Sequence, residues 1–345
     1  MNTYFTGYLQ TFSHHASENY GYDLNVLIYA GIDEAGYGPM FGPLCVASCA
    51  FIMKDYNPSQ GEPDMWSQLS KVVCKTKKEA GPKIAVNDSK KLKSNSTHKA
   101  LKHLERGVMA FLASSTNTIP ANDSEFFKAT DSVNHEQDWY EGHTPLPIGN
   151  DLNVLKIDNA ILRKHLNEAN ILCPWMKCTS IDVSDYNEQT KFASKAALNF
   201  ATAMKHVDGL LSQYGNDHPR IMIDRHGGRI QYRQELQLCW PKANIQILAE
   251  NKSMSRYRLS LGAKKVTLTF ASKSDERHMP AALASMLAKF TRELHMIRFN
   301  RYFVNQIPHL KPTAGYVQDG RRFLKEIEPI LAKNDVQQEH LVRSS

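Results

Sequence analysis

Two acidic side chains, Asp33 and Glu34, stand next to each other inside "GIDEAGYGPMFGP", residues 31–43. An apolar run from Val26 to Ala30 precedes them, and glycines follow at 36, 38 and 42. The run reads as a buried strand and the glycines as a turn that forbidden backbone angles do not restrict. Neighbouring residues of a regular strand point to opposite faces, so Asp33 and Glu34 share one site only if the strand breaks there. A glycine turn after a strand also suits a phosphate-cradling dinucleotide loop. That loop has no place for two negative charges beside a pyrophosphate, and Pro39 and Pro43 oppose a helix starting there. Two readings remain from this segment alone: a carboxylate pair for a hard divalent cation, or charges that merely finish an exposed strand end.

Two further acids bear on the choice. Asp224 ends the apolar "RIMID" and precedes "RHGG", again a strand tip before flexible backbone. His226 follows it closely and reads as a loop histidine. Glu293 lies in the helix opened by Pro280, at the edge of a stripe of Leu283, Met286, Leu287, Phe290, Leu294 and Ile297, whereas Arg292 points away from the stripe. Four carboxylates from separate elements could hold two metal ions roughly 3.5–4 Å apart, as two-metal phosphodiester hydrolysis requires.

The elements that must position these groups follow from the pattern. Strand, glycine turn and strand run from Val26 to Met53, and residues 54–83 read as loop with a short helix. A helix is expected from about Thr97 to Leu112, then a surface insertion near 114–150 rich in turn formers. A long helix follows Ser184 and Asp185, with Phe192, Ala196, Phe200, Met204, Val207 and Leu211 at helical spacing. "NIQILAE" and "VTLTFASK" supply more strands, and no internal repeat is visible. Strands alternating with helices predict an α/β layered domain.

Bulk composition is compatible with this. The chain has 345 residues, 42% hydrophobic and 22% charged, with net charge +7. A mildly basic balance suits a polyanionic partner without requiring one. The longest apolar stretch, Pro43 to Met53, falls far short of the ~20 residues a bilayer demands, and no secretory signal is seen in the first residues. Cysteines 45, 49, 74, 173, 178 and 239 are scattered, as in a reducing compartment. Cys173 and Cys178 lack the spacing and second pair of a zinc site.

The motifs together resemble type 2 ribonuclease H (ribonuclease HII). "GIDEAGYGPMFGP" resembles that family's first motif, usually GIDEAGRGPxxGP, and "NDSKKL" (87–92) its DSKKL. "IMIDRHGG" resembles its strand ending in Asp-Gly, "KSD" (273–275) its Lys-Gly-Asp, and "ALASMLAKFTRE" (282–293) its AAASILAKVTRD. "AGYVQDGRRFLKEI" (314–327) is a fainter echo of the C-terminal GYGT motif. The resemblance implies an α/β, ribonuclease H-like fold, a mixed central sheet flanked by helices with a C-terminal helical portion. It would occupy residues 25–330, with a loosely ordered segment at 1–24 and a tail at 331–345.

It further implies a cytoplasmic monomer that cuts RNA in RNA–DNA hybrids, or at ribonucleotides embedded in duplex DNA, with Mg²⁺ or Mn²⁺. Carried over by position, Asp33, Glu34, Asp224 and Glu293 would hold the metals. Gly36, Tyr37 and Gly38 would meet the ribonucleotide's 2′-hydroxyl, the group that separates RNA from DNA. Tyr316 would pack on the sugar, and Ser89, Lys90 and Lys91 would touch phosphates. Three positions depart from the family: Tyr37 replaces Arg, Arg225 replaces Gly, and Glu293 replaces Asp. Arg225 is a candidate to return the positive charge lost at position 37. The departures leave open an alternative, a weakened or inactive relative that binds hybrids without cutting them.

Overall fold

The computed structural model describes residues 26–57, 61–93, 100–225 and 227–344. The 1–24 segment, His226 and the expected helix start at Thr97 lie outside them.

Seven strands form the main sheet: β1 (Leu27–Ala35), β2 (Leu44–Met53), β3 (Ile171–Ile181), β4 (Arg220–Asp224), β5 (Asn244–Glu250), β6 (Met254–Leu261) and β7 (Lys264–Ala271). Their order across the sheet is β3-β2-β1-β4-β7-β6-β5. The β1–β4 and β4–β7 pairs are parallel and the rest antiparallel, so the sheet is mixed. The longer helices are α1 (Lys102–Thr116), α2 (Leu152–Glu168), α3 (Val183–Thr190), α4 (Lys195–Tyr214), α5 (Met279–Gln306) and α6 (Val317–Lys333). The expected mixed sheet flanked by helices, with helices at the C-terminal end, is what the chain adopts.

Alternation along β1 feeds two cores. Leu27, Tyr29 and Ala35 join the core beneath α1 and α5, while Ile28, Ala30 and Ile32 join the one beneath α4. A strand buried on both faces needs apolar residues throughout, hence the unbroken "LIYAGI". Gly31 is required where α5 crosses: a Cβ there would lie 2.1 Å from the Ala281 nitrogen. This close approach sets the height of α5 over β1, and hence which of its residues face the strand tip. A third core joins the far half of α5 to α6 through Phe41, Phe299, Phe303, Phe323 and Leu341. Among the described residues no helix is long and apolar enough to cross a membrane.

Several elements depart from expectation. The helix after Ser184 is two helices: Ser194 accepts from the Ala197 amide at 3.2 Å and starts α4 afresh. Phe192 precedes that cap and is exposed instead of heading the stripe. The 114–150 stretch is tied inward as well as lying on the surface, because Phe126, Phe127, Trp139 and Tyr140 are buried. Asp123 also forms a buried ion pair with Arg298 of α5. Strands β3 and β6 and helix α2 were not foreseen; Cys173 and Cys178 lie buried on β3, and all six cysteines are free thiols.

Candidate active site

Parallel pairing of β1 with β4 sets Ile32 beside Ile223, which brings the following residues, Asp33 and Asp224, to adjacent strand tips. β1 does not break at the acidic pair; it continues through Ala35. Asp33 and Glu34 therefore leave on opposite faces. Asp33 turns toward α5 and bonds Ser285, while Glu34 turns toward α4 and bonds Asn199. Asp224, at the edge between the faces, interacts electrostatically with both. Both acids feel the charge of Asp224 at the end of the sheet.

A fourth carboxylate joins them, and it is Asp275. After β7 the chain takes a left-handed turn at Lys273, φ 58°. The Ser274 hydroxyl donates to the Ala271 carbonyl at 2.9 Å and the Ile223 carbonyl at 3.2 Å, locking this turn onto two strand tips. The Ser274 amide donates to Asp224 at 3.2 Å. Asp275 is thereby held where Asp33, Asp224 and Asp88 all raise its proton affinity or have theirs raised by it.

Electrostatics at this edge run one way. Burial, then Glu34, Asp224 and Asp275, push the Asp33 carboxyl well above its usual range. Burial followed by Asp88 and Asp224 pushes Asp275 up to about 7. Glu34 and Asp224 are also raised by burial, against hydrogen bonds from Asn199 and from the amides of Ser274, Arg225 and Lys273. The Lys90 ammonium opposes the rise at Glu34, Asp224 and Asp275. Four carboxylates against this cation leave negative charge in excess.

Glu293 behaves differently. It lies eight residues beyond Ser285, about 12 Å farther along the α5 axis at 1.5 Å per residue. Its Oε1 accepts from Lys93 Nζ at 2.9 Å and lies 2.7 Å from Lys289 Nζ. Burial would raise its pKa, but Lys289 and Lys93 outweigh that and hold it at about 2. Its charge is already compensated. Arg292, expected to point away from the core, is fully buried and donates to the Phe41 and Ala314 carbonyls at 3.0 and 3.1 Å.

The lysine segment is placed against these acids. Asp88 caps a short helical turn by accepting from the Lys90 amide at 2.9 Å. Ser89 is buried and its hydroxyl hydrogen-bonds the Ser285 hydroxyl at 3.2 Å, so it braces α5. Lys91 pairs with Glu276 at 3.1 Å.

The glycine turn forms the rim. Gly36 has φ 86°, and a Cβ there would meet Arg292 Cδ and the Pro43 carbonyl oxygen, each at 2.7 Å. Tyr37 is half-buried beneath Lys195, whose Nζ is 5.1 Å from the ring centre, and Gly38 is exposed. The Met40 amide donates to the Gly315 carbonyl at 2.8 Å, which seats exposed Tyr316 beside this turn. Arg225 does not replace a cation at position 37. It donates instead to the Lys252 and Asn251 carbonyls, at 2.7 and 3.1 Å, in the β5–β6 turn.

No family model matches the chain, and no curated protein matches it in sequence. Solved structures do resemble it. RNase HII of Archaeoglobus fulgidus, in complex with PCNA, is 16% identical with TM-score 0.43, over 92% of this chain and 94% of that one. Ribonuclease H2 from Pyrococcus horikoshii OT3 is 14% identical with TM-score 0.40, over 91% and 92%. Bst-RNase HIII in complex with Mn²⁺ is 13% identical with TM-score 0.40, over 92% and 66%.

Proposed function

We propose that this protein is a divalent-metal-dependent endonuclease that cuts RNA in RNA–DNA hybrids or at a ribonucleotide embedded in duplex DNA. The observation that carries the reading is the mutual electrostatic coupling of Asp33, Glu34 and Asp224 at adjoining strand ends with Asp275 in the turn after β7, beside a glycine turn and an exposed tyrosine. Among the described residues no three His, Cys, Asp or Glu side chains form a ready-made metal cage. The donor set nevertheless fits Mg²⁺ or Mn²⁺, because its oxygens are hard ligands and its excess negative charge is what a divalent cation would neutralise. Asp33, Glu34, Asp224 and Asp275 would hold the metal, and Glu293, already satisfied by two lysines, would not. When bound, such ions activate water and stabilise the leaving oxygen of a phosphodiester.

The remaining roles belong to the chain. Tyr37 and its flanking glycines would present backbone to the 2′-hydroxyl, and exposed Tyr316 beside them would pack against the sugar. Lys90, now facing carboxylates, is free to turn to a phosphate once a metal relieves them, with Lys91 beside it on the same turn. Ser89 acts one step back, through Ser285 to Asp33. Cleavage should leave a 3′-hydroxyl and a 5′-phosphate.

The test is a DNA duplex carrying one ribonucleotide, incubated with Mg²⁺ or Mn²⁺. A cut at the ribonucleotide by the native protein, and none by Asp33→Asn, supports the reading. Absence of cutting at every metal concentration, with salt-sensitive binding intact, would favour a non-catalytic hybrid binder.

A further inference from the structure

The last residues of the chain, expected to trail as a tail, are bound into the molecule. Past α6 the chain doubles back, and the Val336 amide donates to the Leu331 carbonyl at 2.9 Å. Leu341 is completely buried in the core formed with Phe41, Phe299 and Phe323. Asn187 of α3 grips the segment at three points. Its Nδ2 donates to the Glu339 and Val342 carbonyls at 2.6 and 2.8 Å, and its Oδ1 accepts from the Ser344 amide at 2.7 Å. The Arg343 amide then donates to the Met40 carbonyl at 2.9 Å, inside the glycine turn.

The Arg343 side chain goes farther. It is 6% exposed, lies 4.8 Å over the Tyr186 ring, and sits under the turn. Nε and Nη2 donate to the Gly42 carbonyl at 3.0 and 2.6 Å, and Nη1 donates to the Gly36 carbonyl. Arg292 holds the Phe41 carbonyl between them. Carbonyls from three residues of one turn thus point inward onto two buried guanidiniums.

We propose that segment 338–344 is a strap that sets the glycine turn for substrate, with Arg343 as its positioning residue. The inference rests on the proposed function and adds a regulator of its substrate recognition. The reason is peptide geometry. In a trans peptide the carbonyl and the following N–H are antiparallel, so fixing Gly36 O onto Arg343 turns the Tyr37 N–H outward, away from the buried guanidinium. That amide is the donor a 2′-hydroxyl would meet. Gly36 and Gly42 have φ 86° and 77°, and neither has a side chain of its own to limit rotation of its peptide. Without Arg343, both carbonyls lose a charged donor and have reason to turn back toward water. The strap therefore acts on binding of the ribonucleotide and leaves the carboxylate edge in place.

The experiment compares the full chain with Arg343→Met, Arg343→Lys and Asn187→Ala, the last keeping Arg343 and the buried Leu341 while removing the strap's grip. Exchange of the Met40 and Phe41 amides, read on the protein alone, should quicken about tenfold in Arg343→Met and less in Asn187→Ala. On a duplex with one ribonucleotide, KM should rise about tenfold in Arg343→Met with kcat within about threefold, and Arg343→Lys should recover part of the loss. If the native protein cuts nothing, the proposed activity fails, while amide exchange still decides whether the strap holds the turn. Unchanged exchange in a folded Arg343→Met, or faster exchange with unchanged KM, would overturn the inference.

Discussion

Asp33 and Glu293 are both acidic, both largely buried, and both packed along α5, yet they sit at opposite electrostatic extremes. Burial acts on each in the same direction. At Asp33 the neighbours are Glu34, Asp224 and Asp275, and the carboxyl is driven well above its usual range. At Glu293 the neighbours are Lys289 and Lys93, and the carboxyl is held at about 2. Desolvation is common to the two, so the company each keeps decides the outcome. A fold retains the second kind of carboxylate for its ion pairs. The first kind is a liability unless a cation offsets it, which is what the proposed metal site would supply.

The largest effect expected from this contrast is on catalysis. Asp33→Asn should lower kcat by on the order of a thousandfold or more in single-turnover cleavage of a ribonucleotide-containing duplex. The same substitution should stabilise the metal-free protein by about 1 kcal/mol, since it removes a buried charge repelled by its neighbours. Melting in chelator would show it. Native rates from this variant would remove Asp33 from the chemistry.

Asp275→Asn against Glu293→Gln sharpens the comparison. The first should cost about a hundredfold in kcat with little loss of stability. The second should leave kcat within about threefold but destabilise the fold by about 3 kcal/mol, because the largely buried Lys289 ammonium and the partly exposed Lys93 ammonium lose their partner. Metal separates them again. Mn²⁺ at a hundredfold excess over its dissociation constant should raise native stability by about 2.7 kcal/mol. Glu293→Gln should keep that gain and Asp275→Asn should lose most of it. The reverse pattern would return Glu293 to the metal site.

These two residues also mark where sequence reasoning stops. Asp33, Glu34 and Asp224 stand out in the sequence because each lies at or next to the end of an apolar run, shortly before glycine or other turn formers, although β1 itself runs on through Ala35. Glu293 is placed by a helical wheel, which gives direction around the axis but neither height along it nor the pairing with Lys93 and Lys289. The roughly 12 Å from Ser285 to Glu293 is invisible in that projection. Asp275 was matched within "KSD" but given no role, since its place depends on the left-handed Lys273 and the Ser274 hydroxyl. Strand β3 was missed because Pro174 and Lys177 interrupt its alternation, although it lies against β2 through register pairs from Leu44–Ile181 to Met53–Ile171. Arg343 carries no local signal at all. The third core, closing over Leu341, and the grip of Asn187 bring it beneath a turn some three hundred residues earlier.

The smallest effect concerns acid. Glu293 titrates at about 2 in the folded chain against an ordinary 4.5. A depressed carboxyl contributes stability that is present above the unfolded value and is lost as pH falls through the folded one. The full contribution, about 3 kcal/mol from a shift of roughly 2.5 units, should therefore persist at pH 7 and decline by only about 1 kcal/mol at pH 4. Most of it should be gone near pH 2. Denaturant unfolding of native protein and Glu293→Gln across this range gives the difference directly. A gap that stays constant from pH 7 to pH 2 would mean the two lysines do not hold Glu293 in its charged form, and the contrast with Asp33 would reduce to burial alone.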